Sequence, residues 1–326
     1  MKTWQRIKNN PEILNQYLIR EKVIDTIRAF FKGRGFREVF TPVLVPIPSI
    51  EPNLEVFETE LRTSLGKRRQ GFLIMSPEFS IKKLLAAGIG NCFEITKCFR
   101  NEEEVSSLHN PEFTMIEWYR INATYRNVME DFEKLFCEII KKVNPESDLS
   151  RWEYQGEIYD LTMPWPRFKI ADIFKKYAGW DVLKVSDDDF YKIYFNEIEP
   201  KLKEMKKPYF IYDYPLSQAS LSKPVKDLRF AERFEVFLAG VELGNCFSEL
   251  TDAAEQKKRF EADLAERKRM GKTIYPIDED LIEALASGLP KVSGIAVGVD
   301  RLIMLAQDAT SISDTLFFPG KELFDL

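Results

Sequence analysis

The chain has 326 residues, 44% hydrophobic and 30% charged, the balance of a globular protein with a sizeable core and not of a disordered one. A net charge of −5 argues against a general nucleic-acid binder, because phosphate contact needs a basic footprint. One histidine (His109), no C-x-x-C pair among four cysteines and no apolar run of signal-peptide or membrane-span length exclude multi-histidine metal centres, zinc sites and a disulfide framework, and fit a cytoplasmic protein with reduced thiols and no membrane partner.

Residues 11–34 carry apolar side chains at helical spacing, among them Tyr17, Val23, Ile27, Phe30 and Phe31. Asn10-Pro11 is the start signal and Gly33 and Gly35 the stop. Residues 36–45 read as a strand interrupted by Pro42, which belongs at an edge or bulge. Strand-like runs follow at 72–76, 92–100 and 112–121, with a helix at 77–87 between the first two. Residues 125–143 form a second amphipathic helix. The polar stretch 144–207, with Pro164 and Pro166, reads as a partly helical insertion. Strands resume at 209–214 and 233–250, helices at 252–270 and 278–286, and a last strand at 294–298 feeds a helix from Asp300. Short links without regular strand–helix alternation predict an α+β fold, a mainly antiparallel β-sheet flanked by helices.

Three clusters carry possible chemistry. In the first, Phe99-Arg100-Asn101-Glu102 precedes a polar loop at 103–108 that would form a hairpin tip, returning His109 and Phe113 over the same face. On the return strand Phe113, Met115, Glu117 and Tyr119 share a face. A carboxylate in the middle of a core face is costly, so this row suits a pocket for a flat base beside an ammonium group, and Arg100 suits phosphate. A half-buried hairpin would show the same pattern. In the second cluster, a turn at Ala239-Gly240 would bring Glu235 and Glu242 close, and a pair of hard carboxylates implies a cation such as Mg²⁺. Asn245 and Glu249 continue along that face. In the third, Gly294, Ala296 and Gly298 leave one strand face almost bare, open to a ligand or to tight packing, and Arg301 follows near a helix start.

At these residues the sequence resembles the class II aminoacyl-tRNA synthetases, specifically the catalytic domain of the lysyl enzymes, over nearly the whole chain. Phe40-Thr41-Pro42 looks like motif 1, which implies a homodimer interface. Phe99-Arg100-Asn101-Glu102 with His109-Asn110-Pro111-Glu112-Phe113 looks like motif 2, and Gly298-Val299-Asp300-Arg301 like motif 3. The resemblance implies ATP and Mg²⁺ as cofactors. It implies ATP contacts from Arg100, Glu102, His109, Asn110, Phe113, Glu235 and Arg301, with Arg100 and Arg301 catalytic on the phosphates and Glu235 and Glu242 holding the metal. For the amino acid it implies Glu78 at the amino group near the reacting carboxylate, Asn245 at that carboxylate, and Glu117, Tyr119 and Glu249 at the distal ammonium. Ala296 and Gly298 would form the floor. Adenylation agrees with this set: a carboxylate displaces pyrophosphate at the α-phosphate, so positioning and positive charge carry the reaction and no general base is needed.

Within that superfamily the chain looks most like the truncated paralogues that join (R)-β-lysine to elongation factor P. About forty residues precede motif 1, too few for an anticodon-binding OB domain, so a single catalytic domain over 1–326 is expected. The segment Tyr214-Pro215-Leu216-Ser217-Gln218-Ala219-Ser220-Leu221 and the run Ile116-Glu117-Trp118-Tyr119-Arg120 also resemble these ligases. So does Ala296, where lysyl enzymes resemble one another in having glycine. Ser248 departs from the ligase pattern as known from one bacterial member, which has histidine there. The implied reaction is adenylation of (R)-β-lysine or lysine and transfer to a lysine of elongation factor P. Two other readings are a minimal lysyl-tRNA synthetase and an inactive synthetase-like binding module. The acidic charge and Gln218-Ala219-Ser220 argue against tRNA as partner, and the presence of Arg100, Glu102, Glu235, Glu242 and Arg301 argues against inactivity.

Overall fold

A computed structural model describes residues 2–219 and 221–325, Asp188 by its backbone only. Its centre is an eight-stranded sheet. In chain order the strands are β1 (Arg37–Glu38), β2 (Cys92–Phe99), β3 (Glu112–Ile121), β4 (Arg167–Lys169), β5 (Tyr209–Pro215), β6 (Phe230–Leu238), β7 (Val241–Ser248) and β8 (Val292–Gly298). They lie in the order β1-β2-β3-β8-β7-β6-β5-β4. Every neighbouring pair is antiparallel except the two edge pairs, β1 with β2 and β5 with β4. The fold is therefore α+β and mainly antiparallel, as the strand spacing predicts.

The six helices that matter here are α1 (Leu14–Lys32), α2 (Glu78–Ala86), α3 (Tyr125–Val143), α4 (Ala253–Arg269), α5 (Glu279–Gly288) and α6 (Val299–Ala306). Helix α3 starts at a reciprocal cap between Thr124 and Asn127, and α4 at Asp252, whose side chain accepts from the Ala254 and Glu255 amides. Alternation along the central strands assigns their two faces. Ile116 and Trp118 of β3 and Ile295 and Val297 of β8 join Phe30 and Phe31 of α1 and Phe132 and Phe136 of α3 in the main core. Trp118 is fully buried, 4.9 Å from Phe31 and 6.5 Å from Phe132 between ring centres. Losing such a ring costs on the order of 3–5 kcal/mol. The opposite face of the same strands, with Glu117, Tyr119, Gly294 and Ala296, is free for chemistry. A second core, of Phe79, Leu85, Phe260, Leu281 and Leu285, brings α2, α4 and α5 over one end of it.

Two elements differ from the expectation. Residues 36–45 are not one strand: β1 belongs to the main sheet and Leu44–Val45 to a separate three-stranded sheet with Glu58–Arg62 and Arg68–Leu73. Proline at 42 has no N–H to donate, and the Thr41 amide goes to the Glu94 carboxylate at 2.8 Å instead of to a strand. Glu58–Arg62 was invisible because all its residues are exposed and no alternation marks it. The stretch 144–207 supplies the edge strand β4 and packs Phe174, Phe190 and Tyr194 against Tyr209, Ile211 and Phe237 of β5 and β6.

Candidate active site

Register alone assembles most of the site. Residues directly opposed across antiparallel strands point to the same face. One such row runs Glu235, Asn245, Ala296, Glu117, Glu94 across β6, β7, β8, β3 and β2. The next row runs Arg233, Phe247, Gly294, Tyr119, Cys92. In the other direction along β3, Met115 lies opposite Gly298 and Phe113 opposite Cys98. The span from Phe113 to Tyr119 is about 20 Å, which gives the face two distinct ends.

At the Phe113 end three basic side chains gather. Arg100 follows β2, and its guanidinium lies over the Phe113 ring at 5.2 Å. Its Nε is buried without a hydrogen-bond partner. A buried unpaired donor on an arginine is costly, and a phosphate oxygen is the acceptor that would satisfy it. Glu102 has φ of 57°, a left-handed backbone that glutamate rarely adopts, and it stays exposed at the start of the loop. Arg301, in the first turn of α6, donates to the Glu242 carbonyl at 2.7 Å and sits 3.0 Å from His109 Nε2. A guanidinium has only donors, so Nε2 accepts and the His109 proton is on Nδ1, facing Ser106 Oγ at 3.0 Å. Burial, with Arg301 and Arg100, pushes the His109 pKa down against the pull of Glu103. His109 is therefore a neutral, oriented ring and not a proton carrier at neutral pH.

Next to the arginines lie the two acids. The turn at Ala239 (φ 54°) and Gly240 (φ 77°) has positive φ at both residues, as tight hairpins require. A bulge beside it leaves Phe237 opposite Glu242 and Val236 opposite Gly244. Burial, and then Glu235, pushes the Glu242 carboxyl up to about 7, against Arg301, Arg233 and Arg100. Glu235 accepts from Arg233 at 2.6 Å and from the Tyr214 hydroxyl at 2.7 Å. Arg233 also donates to the Gln218 carbonyl at 2.7 Å and contacts Asn245 Oδ1 at 3.2 Å. Of Gln218-Ala219-Ser220, Ser220 lies outside the described residues. Two hard carboxylates close to Arg301 and Arg100 would fit a divalent cation that completes its shell with phosphate oxygens. No cluster of three or more potential metal-ligating side chains occurs among the described residues.

At the Tyr119 end lies an acidic cluster, with Glu117, Tyr119 and Glu249 buried and Ser76 and Glu78 half-buried. The Tyr119 hydroxyl donates to Glu117 Oε2 at 2.9 Å, and the Ser76 hydroxyl donates to Oε1. Glu78 opens α2, and its carboxylate is 2.7 Å from Lys82 Nζ, which is also 2.7 Å from Glu249 Oε2. Burial, with Glu78 adding to it, pushes the Glu117 carboxyl up to about 8. Burial also pushes Glu249 up to about 8, although Lys82 pulls the other way. A side chain at Gly294 would meet the Tyr119 ring at 2.3 Å and Glu249 Oε1 at 2.9 Å, so the bare strand is what lets these groups converge. The Ala296 methyl stands between Asn245 and Glu117, on the floor that joins the two ends.

The model of the family described as tRNA synthetases class II (D, K and N) matches residues 2–322. The chain belongs to this family. Curated relatives of similar length include proteins named elongation factor P–(R)-β-lysine ligase. That of Vibrio atlanticus (strain LGP32) is 39% identical over 334 residues, covering 97% of this chain and 98% of the relative. That of Salmonella gallinarum (strain 287/91 / NCTC 13346) is 38% identical over 324 residues, covering 97% of each. This class II synthetase-type chain is thus a ligase, of a kind that uses ATP.

One residue expected at ATP has its side chain engaged within the protein. Asn110 engages both ends of its amide inside the protein: Oδ1 accepts from the Gly320 amide at 2.7 Å and Nδ2 donates to the Glu112 carbonyl at 2.6 Å. It fixes the return of the hairpin and does not face the phosphate end. Three further residues line these clusters without a role foreseen from the sequence. Arg233 and Ser76 show theirs only through tertiary contacts. Lys82 stands four residues after Glu78, a spacing that by itself reads as an ordinary exposed helix pair.

Proposed function

We propose that the chain adenylates (R)-β-lysine with ATP and transfers the β-lysyl group to a lysine side chain of elongation factor P. The observation that carries this reading is the two-ended face: arginines and paired acids at one end, a closed carboxylate pocket at the other, with Ala296 between. The activity named for its relatives agrees with it. Arg100 and Arg301 bring the substrate carboxylate and the α-phosphate together against their repulsion. The carboxylate oxygen bonds to the α-phosphorus as the bond to pyrophosphate breaks. The acceptor amine then bonds to the carbonyl carbon, AMP leaves, and one amine proton goes to solvent. Asn245 holds the substrate carboxylate, Glu78 the nearer ammonium, and Glu117, Tyr119 and Glu249 the distal one. Phe113 stacks on adenine while Glu102 reads its amino group. Glu235 and Glu242 would hold Mg²⁺, which would supply positive charge to neutralise the phosphates.

The chain acts as one catalytic unit, in the cytoplasm, as a homodimer. Phe40 is 77% exposed and Val43 and Leu44 are exposed beside it, an apolar strip that a second copy would cover. No helix among the described residues is long and apolar enough to cross a membrane. The test offers elongation factor P and tRNA side by side to the protein with ATP and labelled (R)-β-lysine or α-lysine. The label should reach elongation factor P, and reach it fastest from (R)-β-lysine. Label on tRNA alone would overturn this reading.

A further inference from the structure

Lys82 lies one turn along α2 from Glu78 and is only 2% exposed. One ammonium, 2.7 Å from each, joins the two carboxylates Glu78 and Glu249 that flank the amino-acid pocket. Burial works against this charge, and Glu249 and Glu78 more than offset it, holding the lysine above its ordinary range. Glu117 is the third carboxylate of the cavity, and both Glu78 and Glu249 act on it. Buried charges are tolerated when matched. Here the protein itself supplies one cation against three acids.

We propose that Lys82 sets the charge of this pocket: its fixed ammonium cancels one of the three carboxylates, leaving two negative charges that match a substrate with two ammonium groups. Taking the pocket as the seat of a diamino acid, the complex is neutral at this end. A substrate with one ammonium leaves a buried carboxylate unmatched and is rejected for that reason.

The surrounding charges agree with the count. Tyr119 and Ser76 give Glu117 neutral hydrogen bonds and no cation. Glu94, opposite Glu117 on β2, accepts the Thr41 amide, and burial pushes its carboxyl up toward the neutral form. Burial, with Glu78 adding to it, pushes the Glu51 carboxyl up toward the neutral form against Arg100 and Arg233. In the empty pocket protons take up the excess charge, since Glu117 and Glu249 both titrate near about 8. Binding of a diammonium substrate releases them. The amino-acid KM therefore falls as pH rises toward about 8 and then levels off.

The test measures amino-acid KM against pH by ATP–pyrophosphate exchange, with ATP KM followed alongside. Lys82→Met removes the cation and leaves the acids, so the pH at which KM levels off should move upward by about one unit or more. KM at pH 7 should then rise roughly tenfold, one unit being a factor of ten, with ATP KM unchanged. Lys82→Arg keeps the charge and should keep the wild-type midpoint even where kcat falls. A change in KM without a shifted midpoint in Lys82→Met, or an equal shift in Lys82→Arg, would make Lys82 a packing residue and overturn the proposal. Glu117→Gln separates the two readings. If it leaves amino-acid KM unchanged, the pocket assignment itself fails; if it raises KM while Lys82→Met is silent, only the role of Lys82 fails. If Lys82→Met does not fold, the double variant Lys82→Met with Glu249→Gln removes both ends of the ion pair and keeps the count at two. Its midpoint should stay near wild type, and a shift of about one unit or more would overturn the proposal.

Discussion

The two ends of the site solve opposite electrostatic problems with opposite degrees of closure. At the Phe113 end Arg301 is held by the Glu242 and Leu108 carbonyls and by His109, and Arg100 by the Phe113 ring and, at 3.7 Å, by Glu103. These contacts orient each guanidinium, Glu103 offsets part of the Arg100 charge from a distance, and Arg100 keeps a buried donor without a partner. At the Tyr119 end Glu117 and Glu249 are buried, Glu78 is half-buried, and Glu78 and Glu249 share one cation, Lys82. A site for a polyanion that must enter and leave as pyrophosphate works with oriented, partly open donors. A site that must tell one small diamine from other amino acids gains selectivity by being closed, because unmatched charge is expensive only where water is excluded.

Substitutions can break that contrast. The largest effect is expected at the phosphate end: Arg301→Ala removes a transition-state cation and should lower ATP–pyrophosphate exchange by about a thousandfold. Near-normal exchange would show that this end does not hold the phosphates. A smaller effect is expected on the floor between the ends. Ala296→Gly removes one methyl between Asn245 and Glu117 and should raise α-lysine activation relative to (R)-β-lysine by about tenfold, the worth of a methyl-sized change in a pocket. A constant ratio of kcat/KM for the two isomers would remove Ala296 from specificity. The smallest effect on catalysis is expected at Asn110, which belongs to neither end. Asn110→Ala should lower unfolding stability by about 1–3 kcal/mol through the orphaned Gly320 amide while ATP KM stays close to wild type. A large rise in ATP KM at unchanged melting temperature would return Asn110 to the phosphate end.

Much of the phosphate end was legible because its residues are close in sequence and chemically unambiguous. Arg100, His109 and Phe113 lie on one hairpin, and the β2–β3 register that pairs Phe99 with Glu112 follows from strand alternation and a polar loop. The Ala239-Gly240 turn likewise foretold that Glu235 and Glu242 meet. Strand boundaries were least legible where no face is buried, as in Glu58–Arg62, or where side chains take over backbone hydrogen bonds, as at Thr41. The internal partner of Asn110 was not legible, because its amide is drawn to Gly320, 210 residues away.

The sequence by itself determined the periodicities, hence the two-faced central strands, and the identity of the charged groups on the open face. Local pattern suffices there because side-chain direction repeats every two residues. Only the tertiary structure decided how those charges balance. Whether Glu78 pairs with Lys82 in water or in a largely buried cluster shared with Glu249 depends on α2 docking against β3, β7 and β8. Burial, which no single segment controls, is what turns a routine helix ion pair into a group able to govern which amino acid is admitted.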